Sequence, residues 1–272
     1  MSKSGGLPHD GELSGKSALV TGSLGGIGFA IACRLAALGC DVMINGFAEP
    51  DTIRQRLAEL TDRFGIHADH HNADLRDPKQ IAALVHDTAA AHGGVDILVN
   101  NAVVRYFAPV EQFEPAHWDE ALAVNVSAPF HAIRAALPLM RERGWGRIVN
   151  IASIYGLFAT VNRVDYITTK TALIGMTRGI ALEVAKSDIT CNAICPGTVL
   201  TPAIERRVQD LVDKEAITRE AALSRFVGVR QPSGRFVAAE NVAGLVGFLC
   251  GPFGGDINGA ALPIDGAWAA GR

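Results

Sequence analysis

From Ala18 onward, short apolar runs alternate with longer stretches in which apolar residues recur every three or four positions. The runs Ala18 to Thr21, Asp41 to Asn45, Ile66 to His71, Val95 to Val99, Arg147 to Ala152, Ile189 to Ile194 and Ala260 to Ile264 read as strands of a largely buried sheet. Between them, Ile27, Ile31, Leu35 and Leu38 mark one helical face closed by Gly39, and Ile53, Leu57 and Leu60 mark a second. Asp77-Pro78 starts a third, with Ile81, Leu84, Val85 and Thr88 facing inward. Longer patterns predict helices from Pro115 to about Met140, from about Arg163 onward, and from Asn241 to Cys250. No repeat or linker divides the chain. The alternation predicts a single-domain α/β fold, a Rossmann-type doubly wound parallel sheet of about seven strands with helices on both faces. Residues 1–14, polar and Gly-rich, read as a flexible tail preceding a domain of residues 15–272. From Thr198 to Arg235 the pattern changes to mixed charges with prolines at both ends. Following a strand end, residues 198–235 read as a small helical lid, the alternative being a solvated surface hairpin of helices.

Composition narrows the partners. The 272 residues are 49% hydrophobic and 19% charged, enough for a sizeable core. A net charge of -3 gives no basic surface for nucleic acid or an anionic membrane, which leaves small-molecule chemistry. The five cysteines, Cys33, Cys40, Cys191, Cys195 and Cys250, lack the close pairing of a zinc site and read as buried thiols of a reducing compartment. With no apolar export signal and no uninterrupted membrane-length run, a cytoplasmic location is expected. His67, His70 and His71 invite a metal reading. On a strand, however, His67 and His71 share one face while His70 points away, and no cysteine or carboxylate completes a set, so no metal is expected.

The chemistry-bearing residues cluster at the predicted strand ends. Gly22-Ser23-Leu24-Gly25-Gly26-Ile27-Gly28 joins the first strand to its helix. A glycine-rich turn there lets backbone approach a pyrophosphate, whose charge meets the N–H groups and positive dipole of the helix. The second strand ends at Asn45, followed by Gly46 and Phe47, where a ribose-binding side chain is expected. No carboxylate stands there for a 2′-hydroxyl and no Arg or Lys for a 2′-phosphate. Without a cation at Gly25 either, the choice tilts from NADP to NAD. Asp74-Leu75 is placed to bracket an adenine, and the fourth strand runs into Asn100-Asn101-Ala102. Asn125 lies inside the long helical pattern, where an asparagine either bonds locally to backbone or is placed for a purpose. Ser153 follows the fifth strand, and Tyr166 and Lys170 stand one helical turn apart. A cation beside a phenol favours the phenolate, which suits a proton-transferring pair.

Taken in order, Thr21-Gly22-x-x-x-Gly26-Ile27-Gly28, Asn100-Asn101-Ala102, Asn125, Ser153 with Tyr166-x-x-x-Lys170, and Pro196-Gly197 with Thr201-Pro202 resemble the short-chain dehydrogenase/reductase family. Within it the sequence is most similar to bacterial D-3-hydroxybutyrate dehydrogenases. Asn45-Gly46-Phe47, Ala108 to Phe113, Trp145 to Ile148, Thr190 to Gly197 and Asp265 to Trp268 carry that similarity. The resemblance implies that Tyr166 is the general acid/base, that Lys170 binds the nicotinamide ribose, that Ser153 orients the substrate oxygen and that Asn125 holds a water linking Lys170 to solvent. It implies NAD as cofactor, with contacts from Gly22, Leu24, Gly26, Ile27 and Gly28 at the phosphates. Asn45, Phe47, Asp74 and Leu75 would lie at the adenosine, and Asn101, Ala102, Pro196, Gly197, Val199 and Thr201 beside the nicotinamide half. A homotetramer is implied as well.

Where those enzymes resemble a carboxylate pocket of Gln, His, Lys and Gln, this chain has by position Arg105, Tyr155, Arg163 and Arg207, with Thr198 where a Trp is usual and Trp268 retained. Three forked guanidiniums suit a carboxylate, phosphate or sulfonate, the alternative being that they pair with acids such as Glu205 or Asp165. Val103 replaces the glycine usual after Asn-Asn-Ala; a β-branched residue disfavours φ > 0 and narrows the space beside the cofactor. The expected activity is hydride transfer between NAD(H) and a secondary alcohol or ketone of a short anionic (3-)hydroxy or oxo acid. Alternatives on the same scaffold are a 3-oxoacyl thioester reductase, a sugar or polyol dehydrogenase and, from another class, a redox-inert dinucleotide sensor.

Overall fold

In the computed structural model, which describes residues 11–228 and 230–271, one sheet organises the chain. Its strands are β1 (Ser17–Val20), β2 (Asp41–Asn45), β3 (Ala68–His71), β4 (Ile97–Asn100), β5 (Gly146–Ile151), β6 (Ile189–Pro196) and β7 (Ala261–Ile264). All neighbours are parallel, in the order β3-β2-β1-β4-β5-β6-β7. Between them run α1 (Gly26–Ala37), α2 (Pro50–Phe64), α3 (Pro78–His92), α4 (Pro115–Leu122), α5 (Ala128–Glu142), α6 (Val164–Val184), α7 (Pro202–Glu215), α8 (Arg219–Gly228) and α9 (Ala239–Cys250). Successive strand residues face opposite sides. Val20, Val42, Ile44 and Val99 pack against Ile31 and Leu35 of α1 and Val246 and Leu249 of α9. Leu19, Met43, Leu98 and Ile148 pack against Leu84 and Val85 of α3 and Ile133, Ala136 and Met140 of α5. Both faces being covered, the central strands show continuous apolar runs in place of alternation.

Two expectations change. The tail of residues 1–14 is too long at its inner end. Residues 1–10 lie outside the described residues, while 11–14 form a turn in which Leu13 is buried and donates its N–H to Leu38 O at 2.9 Å. The helix expected from Pro115 to Met140 is interrupted by a π-turn over Ala123–Ser127. The cause is Pro129, which has no N–H to give the Asn125 carbonyl four residues back and whose ring crowds that carbonyl. The histidines have protein partners: His70 Nε2 lies 2.8 Å from Gly46 O and His71 Nε2 3.1 Å from Asp87. Among the described residues no helix is long and apolar enough to cross a membrane.

The sheet order places a switch point between β1 and β4, whose connections leave in opposite directions and open a crevice at their carboxyl ends. Two glycines set how tightly α1 seats there. Gly22 has φ +62°, and a Cβ on it would lie 2.7 Å from Ala102 Cα; a Cβ on Gly28 would lie 2.5 Å from Asn101 Nδ2 and closer still to Gly22 O. Gly25 has nothing within 4 Å of its Cβ position. Gly28→Ala is therefore expected to destabilise by about 1–3 kcal/mol through overpacking, lowering the melting temperature by several degrees. Gly25→Ala should melt within about 1 °C of the unaltered protein. Thermal denaturation followed by circular dichroism compares the two, and equal melting points would refute the packing role of Gly28.

Candidate active site

A cleft of about 870 Å³ follows this crevice. At its phosphate end the N-cap of α1 is Gly25, which offers no side-chain cap, so the first N–H groups of the helix have no side-chain acceptor. Gly25 and Gly26 have open space where a Cβ would stand. Uncapped helical N–H groups beside bare glycines fit a pyrophosphate. Of the expected cofactor residues, Gly22, Ile27, Gly28, Asn45, Phe47, Asp74, Leu75, Asn101, Ala102, Pro196, Gly197, Val199 and Thr201 line the cleft; Leu24 and Gly26 do not. Leu24 turns toward Gly46, and its carbonyl accepts from Arg56 Nε at 3.2 Å. Asn45 is occupied structurally: its Oδ1 accepts from Gly22 N at 3.4 Å, and its Nδ2 donates to His71 O and Ala73 O at 3.0 and 3.2 Å. It fastens β1, β2 and β3 together beneath the adenosine end.

Across the switch point, Asn101 Nδ2 donates to Thr21 O and Gly22 O at 3.0 and 2.8 Å, and its backbone N–H donates to Thr21 Oγ1 at 3.0 Å. The chain then turns into the cleft wall through Val103, which stays out of the positive-φ region and lines the cleft. Asn125 fixes that wall. Its Oδ1 accepts from Val104 N and its Nδ2 donates to Val104 O, both at 2.9 Å, with Thr169 Oγ1 at 3.2 Å from the same nitrogen. Asn125 is buried and does not itself line the cleft.

Ser153, Tyr166 and Lys170 all line it. Ser153 follows β5, and its Oγ accepts from Tyr155 N at 3.1 Å, leaving its proton to donate outward. Lys170 is buried, with Nζ 2.7 Å from Ile151 O and 5.7 Å from the Tyr166 ring centroid. Burial, with the charge of Arg105 adding to it and Cys195 opposing, brings its pKa down to about 8. The Tyr155 ring stands edge-on to Tyr166 and Trp268, at 6.4 and 5.3 Å.

The expected substrate residues Arg105, Tyr155, Arg163, Thr198, Arg207 and Trp268 also line the cleft. Asn162, in the left-handed region at φ 60°, turns the chain so that Arg163 precedes α6 and reaches inward. The Arg163 guanidinium lies 4.5 Å from the Tyr166 ring centroid and 4.1 Å from that of Phe107. Its exposure is only 9%, and its Nε has no hydrogen-bond partner. Burial, with Arg105 adding to it, holds its pKa below the usual range. Of the acids weighed as partners for these arginines, Glu205 pairs with Arg219 at 2.7 Å; Asp165 accepts from Tyr106 N at 3.0 Å through one oxygen, keeps its other oxygen buried without a partner, and attracts Arg163 through space without forming an ion pair with it. Sequence reasoning missed Phe107, Phe226 and Arg230, which also line the cleft. No motif flags them: Phe107 lies in the loop after β4, and the segment after β6 that carries Phe226 and Arg230 shows only mixed charge. It missed Gln231 too, which is buried, accepts the Thr198 N–H and donates to Arg235 O at 2.6 Å, anchoring that segment to the end of β6.

A parallel sheet whose switch-point cleft joins an uncapped glycine turn to a buried Tyr–Lys pair and a serine is the frame of a nicotinamide-dinucleotide oxidoreductase. The chain belongs to the short chain dehydrogenase family, whose model matches residues 16–211. It is 42% identical over 255 residues to D-beta-hydroxybutyrate dehydrogenase of Rhizobium meliloti (strain 1021), covering 94% of this chain and 99% of that one. It is 40% identical over 258 residues to the enzyme of that name from Cupriavidus necator, covering 95% and 99%. Among solved structures it matches L-sorbose reductase from Gluconobacter frateurii, complexed with NADPH and L-sorbose, with a TM-score of 0.89 at 30% identity over 94% of this chain and 97% of that one.

The buried lysine has a consequence for stability. Between about 8 and the ordinary 10.5, the unfolded chain holds the Lys170 proton and the folded chain has lost it. Unfolding therefore takes up a proton in that window, and stability conferred at this site rises with pH. In cofactor-free protein, Lys170→Met is expected to be more stable than the parent at pH 7, with the gap narrowing toward pH 10. Urea unfolding at several pH values measures it; a gap that is constant or widens contradicts the buried charge.

Proposed function

We propose that this protein interconverts a secondary alcohol and a ketone on a short anionic hydroxy or oxo acid with NAD(H). The observation that carries the reading is Arg163, a buried guanidinium beside the Tyr166 ring whose Nε has no hydrogen-bond partner and on which the only carboxylate acting, among the described residues, is Asp165, through space and more weakly than burial. A desolvated cation without a direct ion pair is costly, and a substrate carboxylate offsets that cost. The similarity to two D-beta-hydroxybutyrate dehydrogenases supports the same class of substrate.

A nicotinamide dinucleotide bound along the cleft supplies the hydride acceptor for the alcohol and the donor for the ketone. Tyr166 Oη takes the hydroxyl proton in oxidation and returns it to the carbonyl oxygen in reduction. Ser153 Oγ donates to that oxygen and fixes its position, its acceptor side being held by Tyr155 N–H. Lys170, immobilised on Ile151 O, places positive charge beside the phenolate as it forms. Asn125 keeps the Val104 wall, and with it Arg105, in register with α6. For NAD over NADP, the support is that the cations nearest the adenosine end are engaged. Arg56 pairs with Glu59 at 3.0 Å, and Arg76 with Asp74 at 2.6 Å and Glu120 at 3.6 Å. A 2′-phosphate would have to compete with these acids for either guanidinium.

NADH formation with 3-hydroxy acids tests the reading. Tyr166→Phe should lower kcat by at least about a hundredfold while NADH still binds; activity within tenfold of the parent removes the assignment. Arg163→Met should raise KM at least about tenfold for an acid and far less for its amide. Equal effects on acid and amide would remove the anion-binding role. NAD should exceed NADP by at least about tenfold in kcat/KM, and the reverse order would overturn the cofactor reading.

A further inference from the structure

Arg163 accounts for one substrate anion, yet the cleft holds further arginines on its outer wall. Arg207 of α7 and Arg230, just past α8, flank the Phe226 ring at 5.2 and 5.0 Å from its centroid. Arg207 also lies 5.2 Å from the Phe107 ring, which Arg163 covers at 4.1 Å. Guanidiniums and rings thus alternate outward from the reacting tyrosine: Arg163, Phe107, Arg207, Phe226, Arg230. Stacking on aromatic faces holds planar cations in place without neutralising them. Arg230 is further tethered, its Nη1 donating to Phe226 O at 3.0 Å.

No described acid pairs with either outer arginine. On the same segment Glu205 pairs with Arg219 and Glu215 with Arg225, and Asp213 accepts from Gln209 Nε2 at 2.9 Å. Asp74 and Glu120, the acids that line the cleft, pair with Arg76. The Arg207 pKa is held down, by burial first and then by the charges of Arg230 and Arg105. A lone carboxylate on Arg163 leaves this outer repulsion in place. Two forked donors around one ring match a second oxyanion, which each can grip with paired N–H groups.

We infer that the substrate carries a second anionic group, carboxylate or phosphoryl, held by Arg207 and Arg230 beside the Phe226 ring on the outer wall. The inference rests on the proposed hydroxy-acid reading for the opposite end of the same molecule. Unreactive analogues separate the two. Isothermal titration of NAD-saturated enzyme with succinate, glutarate and adipate, each against the monoacid of equal chain length, reads anion number without turnover. At least one diacid should bind at least about tenfold more tightly than its monoacid, and Arg207→Gln/Arg230→Gln should cut that ratio below about threefold. The single variants, each removing one exposed or half-buried arginine, should give intermediate ratios. 3-Phosphonopropionate binding more tightly than the diacids assigns a phosphoryl group, and weaker binding assigns a carboxylate. Equal affinities for diacids and monoacids, or a ratio unchanged in the double variant, overturns the second site. Diacid selectivity without turnover of any hydroxy acid overturns the reaction assignment and keeps the site; turnover without selectivity does the reverse.

Discussion

Everything at this site hangs on a short lash across the switch point. Asn101 donates its side-chain amide to the carbonyls of Thr21 and Gly22 and its backbone N–H to the Thr21 hydroxyl oxygen. Strands leaving in opposite directions open a crevice but also deprive each other of ladder partners at their ends. One asparagine satisfies those carbonyls and sets the width of the opening. The glycine turn can then lie flat against Ala102, and α1 can descend far enough for its uncapped end to face the cleft. A side chain at Gly28 would collide with the same amide, so loop, lash and helix form one close-packed unit.

The second constraint is charge. Lys170 is withdrawn from water and held by a single carbonyl, while Arg163 is withdrawn with aromatic faces around it. Such groups oppose folding, and they persist because the surrounding sheet and helices over-determine their positions. What is lost in stability returns as a concentration of positive charge on the inner wall of the cleft, beside the Tyr166 ring. The inner wall is correspondingly rigid, with Asn125 gripping both polar groups of Val104.

How much of this could be read from the letters follows from which interactions are local. Central strands were legible because burial on both faces writes an unbroken apolar run, and the Tyr166–Lys170 pair because helical spacing alone makes neighbours of them. Leu13 escaped notice as a lone apolar residue in polar surroundings. The π-turn at Asn125 was masked by apolar periodicity that runs through it, although Pro129 stands four residues on and marks the broken bond. Asn45 was placed at the ribose by position. Only the fold shows its amide turned inward to His71 and Ala73. Phe107, Phe226 and Arg230 come from separate segments, and their alternation is a tertiary fact with no spacing to betray it.

Gln231 gives the outer wall an independence that the inner wall lacks. Its buried amide holds Thr198 at one end of the segment and Arg235 at the other, beside the Val237 N–H that donates to Thr198 O at 2.9 Å, so the chain leaves and returns to the sheet at one closed neck. The segment is in effect a cassette, and exchanging its helices between Pro202 and Gly228, which spares Val199, Thr201 and Gln231, is a route to reshape the outer wall of the cleft.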